Sequence, residues 1–116
     1  MAKSSKLHVK TVLKTTPAEN LKIIGNSVKF FKKRGIEVFI DAEHFFDGWK
    51  EDPGYSLDCV RAAADAGADA VVLCDTNGGT LPSFVSEAVR KLAQAAGVPL
   101  GVHAHNDSGL AVANTV

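Results

Sequence analysis

Cysteine is almost missing from this chain: Cys59 and Cys74 are the only two among 116 residues. They form no C-x-x-C pair and are too few for a disulfide framework, which excludes a stapled secreted scaffold and fits a reducing, cytoplasmic setting. Each is read as a small buried hydrophobe. Charge of one sign is missing too. Thirteen basic residues balance thirteen acidic ones, so the composition carries no electrostatic footprint for nucleic acid or an anionic membrane surface. No apolar run approaches the ~20 residues that span a bilayer. The opening Met1-Ala2-Lys3-Ser4-Ser5-Lys6 lacks the apolar core of a secretory signal. The glycine pair Gly78-Gly79 is no Walker loop, because the lysine and the spacing are absent.

What is present centres on Gly101-Val102-His103-Ala104-His105-Asn106-Asp107. Two histidines separated by one small residue, after an apolar run, suit an extended strand. Side chains at i and i+2 of a strand point to one face, so His103 and His105 can hold one cation together. Imidazole suits Zn, Mn, Fe or Co, and two of them make half a site. The plainer alternative is a pair of hydrogen-bonding histidines at a strand end.

The length suits one modest domain, and the chain reads as helices alternating with short strands. Leu7, Val9, Val12 and Leu13 suggest a short helix with unmarked ends, and His8 within it is assigned a surface or structural role. Thr16-Pro17-Ala18-Glu19 opens a clear helix with a capping box. Its stripe is Leu21, Ile24, Val28 and Phe31. Lys29, Lys32, Lys33 and Arg34 crowd the last turn, where cations complement the helix dipole, and Gly35 ends it. A strand over Glu37–Ala42 and an irregular loop over Glu43–Gly54 follow. A helix over Tyr55–Ala66, a strand over Ala70–Cys74 and a turn over Asp75–Thr80 come next. A helix from Pro82 to Ala96, with the stripe Val85, Ala88, Leu92 and Ala96, precedes the histidine strand. Gly109 to Val116 reads as the start of another helix.

Gly35-Ile36-Glu37-Val38, Gly67-Ala68-Asp69-Ala70 and Gly97-Val98-Pro99-Leu100 each join a helix end to a strand, 32 and then 30 residues apart. Such units predict a parallel sheet with its strand C-termini on one edge, where α/β folds keep their sites. That edge collects Asp41, Glu43 and His44, then Asp75 and Thr76, then His103, His105 and Asn106. Glu43 can orient a substrate or support the metal's ligands, or it is an exposed loop carboxylate. Thr76 can donate to a substrate carboxylate beside the backbone N–H groups of Asn77 to Gly79, or it serves only the turn. Asp107 can buttress an imidazole or cap the next helix. His44, Phe45, Phe46 and Trp49 look like an aromatic lid, with core packing the safer account.

Three stretches carry a resemblance to a known family. They are Asp41-Ala42-Glu43-His44-Phe45-Phe46-Asp47-Gly48, Leu73-Cys74-Asp75-Thr76-Asn77-Gly78-Gly79-Thr80-Leu81-Pro82, and His103-Ala104-His105-Asn106-Asp107-Ser108-Gly109-Leu110-Ala111-Val112-Ala113-Asn114. The chain resembles the metal-dependent Claisen-condensing acyltransferases related to isopropylmalate and homocitrate synthases, and most of all the (R)-citramalate synthases. These share a TIM barrel with the lyase that cleaves hydroxymethylglutaryl-CoA. The resemblance implies condensation of acetyl-CoA with pyruvate, yielding citramalate, a precursor of isoleucine. It makes His103 and His105 ligands of a divalent metal (Mg, Mn, Zn or Co), gives Thr76 the substrate carboxylate and gives Glu43 a part in positioning the substrate. The family's strand-one Arg-Asp or Arg-Glu motif and its last ligand, an Asn after Gly-Glu-Arg, find no match here. A full barrel needs ~250 residues. The expectation is therefore one fragment over residues 1–116, an α/β partial TIM barrel with three parallel strands, roughly strands five to seven. It is expected to be inactive alone and to self-associate through its sheet edges.

Overall fold

In the computed structural model, which describes residues 1–116, the sheet has four parallel strands in the order β1-β2-β3-β4. These are β1 (Ala2–Lys3), β2 (Phe39–Glu43), β3 (Ala70–Asp75) and β4 (Leu100–Ala104). The helices are α1 (Lys6–Thr11), α2 (Pro17–Lys32), α3 (Phe45–Glu51), α4 (Pro53–Asp65), α5 (Pro82–Ala93) and α6 (Ala111–Thr115). Each strand lies beside the next one in sequence, and the order never reverses. That is the winding of a barrel rather than of a doubly wound sheet.

The expectation of three strands is corrected by β1. Two residues carry no periodicity of their own. They become a strand through register with β2, Ala2 opposite Ala42 and Lys3 opposite Glu43, and Ser4 extends the ladder with its N–H on the Glu43 carbonyl at 3.2 Å.

The second correction is α3, which replaces the expected irregular loop after Glu43. Phe45 and Phe46 are fully buried, meeting edge to face at 5.5 Å, and Phe45 stacks on Trp49 at 5.6 Å. These rings are core, not a lid. Tertiary burial makes this helix, because its seven residues include Gly48 and are too few to hold a helix alone. Gly48 is required: a Cβ there would lie 2.4 Å from the Ser4 carbonyl oxygen. Asp52 then ends α3 and caps α4, accepting from the Tyr55 N–H at 2.9 Å.

Helix α2 keeps half of its expected capping box. Thr16 accepts from the Glu19 N–H at 3.2 Å, while the Glu19 carboxylate turns to Lys22 at 3.5 Å instead of back to Thr16. Its stripe is also mixed. Ile24 and Val28 are buried, Phe31 is exposed, and the polar Asn20 takes a core place. Asn20 satisfies itself by donating to the Lys3 carbonyl at 2.9 Å and the Tyr55 hydroxyl at 2.8 Å. At the last turn Arg34 donates to the Phe30 carbonyl at 2.9 Å, as the dipole argument requires, but Lys32 reaches both Asp69 oxygens at 2.8 and 2.9 Å. The α5 stripe is buried as expected, Val85, Ala88, Leu92 and the following Ala96 together. The repeat glycines Gly35, Gly67 and Gly97 all take positive φ, 70°, 95° and 65°, which stops each helix.

One face of the sheet packs on the helices. Ala42, Val71 and Leu73 belong to a core cluster of 19 buried residues, with Leu100 packed against it. Side chains alternate along a strand, so the other face is left to the intervening residues. That second face holds the site.

Candidate active site

Register decides which side chains share that face. Lys3 stands opposite Glu43, Asp41 opposite Val72, and Cys74 opposite His103. Paired residues of a parallel ladder project the same way, and the sense repeats every second residue. Lys3, Asp41, Glu43, Cys74, His103 and His105 therefore belong to one face, at the C-terminal end of the strands.

His103 and His105 are co-facial as their spacing requires. Their rings lie 5.1 Å apart at 25°, both exposed. Two neutral imidazoles on one face are a donor set that fits a divalent transition metal. No group of three His, Cys, Asp or Glu forms around them, so the pair stands alone as two candidate donors. Asp107 is exposed and makes no hydrogen bond to either ring. Neighbouring Asn106 instead reaches the start of the next helix, its Oδ1 accepting from the Ala111 N–H at 3.1 Å.

Glu43 is the last residue of β2, not a loop carboxylate. Its partner is Lys3, which forms a half-buried ion pair with it and holds its carboxyl below the usual carboxylate range. Sequence reasoning missed Lys3 because 40 residues separate the two. Thr76 is half-buried and accepts from the backbone N–H of His44 at 2.8 Å. Asp47 then links the two loops, accepting from the Asn77 side-chain amide at 2.7 Å and lying 3.4 Å from His44 Nδ1. Glu43 and Thr76 are thus tied together through His44, while neither forms a hydrogen bond with the histidine pair. His8, assigned a surface or structural role, stacks on His44 at 3.8 Å and 13°.

Two residues of the edge serve the structure rather than the cleft. Asp75 projects to the helix side and is buried, accepting from the Thr80 N–H at 3.1 Å and the Thr80 hydroxyl at 2.8 Å. Gly78 is buried and spends its N–H on the Asp75 carbonyl at 3.1 Å, so that part of the expected row of exposed N–H groups is closed. Its missing side chain has a use: a Cβ would lie 3.0 Å from His105 C and O and from Asp107 N. The bare turn lets the histidine segment dock, with the His105 N–H on the Asp75 carbonyl at 3.2 Å and the Ser108 N–H on the Gly78 carbonyl at 3.1 Å. Cys74 faces the site but is buried, and that burial, then the Asp41 and Glu43 carboxylates, push its thiol up to about 11. It stays a neutral thiol, as expected for a small buried hydrophobe.

The geometry has counterparts in known proteins. The chain is 53% identical over 114 residues to an (R)-citramalate synthase of Sulfolobus acidocaldarius, covering 98% of this chain and 22% of that protein. It is 48% identical over 116 residues to an (R)-citramalate synthase of Streptomyces coelicolor, covering all of this chain and 22% of that protein. The chain thus spans about a fifth of the length of these curated relatives. A crystal structure of the Bacillus subtilis HMG-CoA lyase superposes with a TM-score of 0.84 at 20% identity, over 97% of this chain and 39% of that one. At that identity the likeness speaks for the fold, a partial TIM barrel. The family match runs from the first residue to the last, and over residues 1–116 the chain belongs to the HMGL-like family.

Proposed function

We propose that these residues form one side of the active site of an (R)-citramalate synthase, an acyltransferase that condenses acetyl-CoA with pyruvate. The acetyl methyl group loses a proton, its carbon bonds to the ketone carbon of pyruvate, and the ketone oxygen takes up a proton. Water then cleaves the thioester to release CoA. A divalent metal (Mg, Mn, Zn or Co), held on this chain by His103 and His105, would supply Lewis-acid polarisation of the ketone.

The chain's own residues have separable parts. Thr76 donates a hydrogen bond from its hydroxyl to the pyruvate carboxylate. Glu43, kept ionised by Lys3, accepts hydrogen bonds and fixes how the substrate lies. Carboxylate pinning and ketone polarisation on one cleft hold the electrophile in a single orientation. The observation that carries the reading is the co-facial histidine pair on the same sheet face and edge as Glu43. The similarity to (R)-citramalate synthases supports the choice of substrate. The product's use in isoleucine synthesis and a cytoplasmic location follow from the same reading. The structure adds only that no helix is long and apolar enough to cross a membrane.

The test is thiol release from acetyl-CoA by the enzyme carrying these residues, profiled against pyruvate, 2-oxoisovalerate and 2-oxoglutarate. A clear preference for pyruvate is expected. Equal use of 2-oxoisovalerate or 2-oxoglutarate would refute the substrate and favour an isopropylmalate or homocitrate synthase. Relatives of those two kinds match at 35% and 37% identity.

The 116-residue chain by itself is proposed to self-associate through the free edges of β1 and β4, since unpaired strand edges template pairing. Sedimentation velocity reads this directly, and a monodisperse monomer with cooperative unfolding would contradict it.

A further inference from the structure

His44 carries a conformation that its residue type disfavours. With φ 54° and ψ 34° it is left-handed, one of two such non-glycine residues; the other, Lys14, is exposed. A glycine would take this turn without strain, and the ring that stands here instead is packed. Its ring lies against His8 at 3.8 Å and 13°, a near-parallel stack between α1 and the start of α3. Burial, and then His44 itself, hold the His8 imidazole below its ordinary pKa, which keeps it neutral against its partner.

The turn sends the His44 N–H across to the end of β3, where Thr76 Oγ1 accepts it at 2.8 Å. A hydroxyl has one proton and two lone pairs. With the N–H on one lone pair and no protein acceptor for the proton, the Thr76 hydroxyl is left as a donor.

Resting on the reading of Thr76 as the carboxylate anchor, we infer that the His8–His44 stack is a positioning device. It clamps the left-handed turn, and the turn aims the Thr76 hydroxyl proton at the 2-oxoacid. His8 and His44 are positioning residues here and touch no reacting atom.

Two measurements test this. In the enzyme carrying these residues, Thr76→Val raises KM for pyruvate by about tenfold or more, the value of one hydrogen bond to a charged group. His8→Ala raises KM severalfold while kcat changes by less than about twofold, and His8→Phe, a flat ring without nitrogens, restores KM. Thr76→Val combined with His8→Ala is no worse than Thr76→Val alone, because both act through one group. Should His8→Ala not fold, His8→Leu fills the space without a stacking plane and carries the same expectation. Additive effects, or a wild-type KM in His8→Ala, overturn the proposal. The second measurement needs no substrate: the Thr76 Hα–Hβ coupling in the labelled chain. It reports one rotamer in wild type and His8→Phe, and averaging in His8→Ala. A fixed rotamer in His8→Ala refutes the clamp, whereas an unchanged KM in Thr76→Val refutes the anchor and the proposal with it.

Discussion

Replacing Gly78 by alanine tests how the histidine pair is held. Gly78 has φ 64°, and an added Cβ would lie 3.0 Å from three backbone atoms of His105 and Asp107. A left-handed alanine costs about 1–2 kcal/mol. Overpacking adds 1–3 kcal/mol, taken at about the low end because a few tenths of an ångström of give suffices. Stiffening of the unfolded chain returns about 0.4–1 kcal/mol. The net is a loss of about 2 kcal/mol, which lowers a urea midpoint by roughly 1–2 M at ordinary m-values. Gly79→Ala is the control, with nothing within 4 Å and no positive φ, so its stability should hold or rise by up to about 1 kcal/mol. The assay is urea unfolding followed by far-UV circular dichroism, with Co²⁺ titration in native buffer. Because the Cβ pushes on His105, Gly78→Ala should also weaken Co²⁺ uptake, whereas Gly79→Ala should not. Equal stability and equal uptake in the two variants would refute the docking argument.

Gly48→Ala drives a Cβ to 2.4 Å from the Ser4 carbonyl oxygen, and should destabilise by about 1–2 kcal/mol despite alanine's better helix propensity. Gly25→Ala, in α2 with only the Ala62 oxygen at 3.7 Å, should be neutral or stabilising in the same urea unfolding. Glu43 has a depressed pKa when folded, so its pairing stabilises the fold above the unfolded value of about 4.3 and fades as pH falls through the folded value. Lys3→Met removes that contribution; ¹³C NMR of the Glu43 carboxyl should show its midpoint rising, and an unmoved midpoint would dismiss the pair. The 116-residue chain should release no thiol from acetyl-CoA with pyruvate and Mn²⁺, because each lost electrostatic donor costs on the order of a hundredfold. Turnover that vanishes in His103→Ala would overturn this. Weak Zn²⁺ or Co²⁺ uptake should remain in the chain and be lost in His103→Ala, read by the same Co²⁺ titration.

Periodic features were legible in the sequence. The i, i+2 spacing put His103 and His105 on one face because a strand alternates regardless of context. The α5 stripe was readable for the same kind of reason, since Val85, Ala88, Leu92 and Ala96 repeat at helical steps. What escaped were features made by contact between distant segments. β1 exists only in register with β2, and α3 exists because Phe45 and Phe46 are buried. Lys3 becomes the partner of Glu43 only once the sheet closes. Roles also changed where a residue type fits several uses. Asp75, grouped with the edge residues, is a buried clamp on Thr80; Asp107, open to a buttress or a cap, does neither, and neighbouring Asn106 reaches the start of α6.

The short strand β1 has a consequence for the order of events during synthesis. Lys3 waits for Glu43, 40 residues later, and the Ser4 carbonyl waits for the Ser56 hydroxyl, 52 residues later. At ribosomal rates of about 5–20 residues per second, β1 and Ser4 stand idle for roughly 3–10 s before these partners are made. The sheet therefore grows backwards at this end, β2 and α4 forming a seat into which β1 falls. During that wait the unseated segment is Lys, Ser, Ser and Lys, polar enough to stay in water and a poor template for a neighbouring nascent chain.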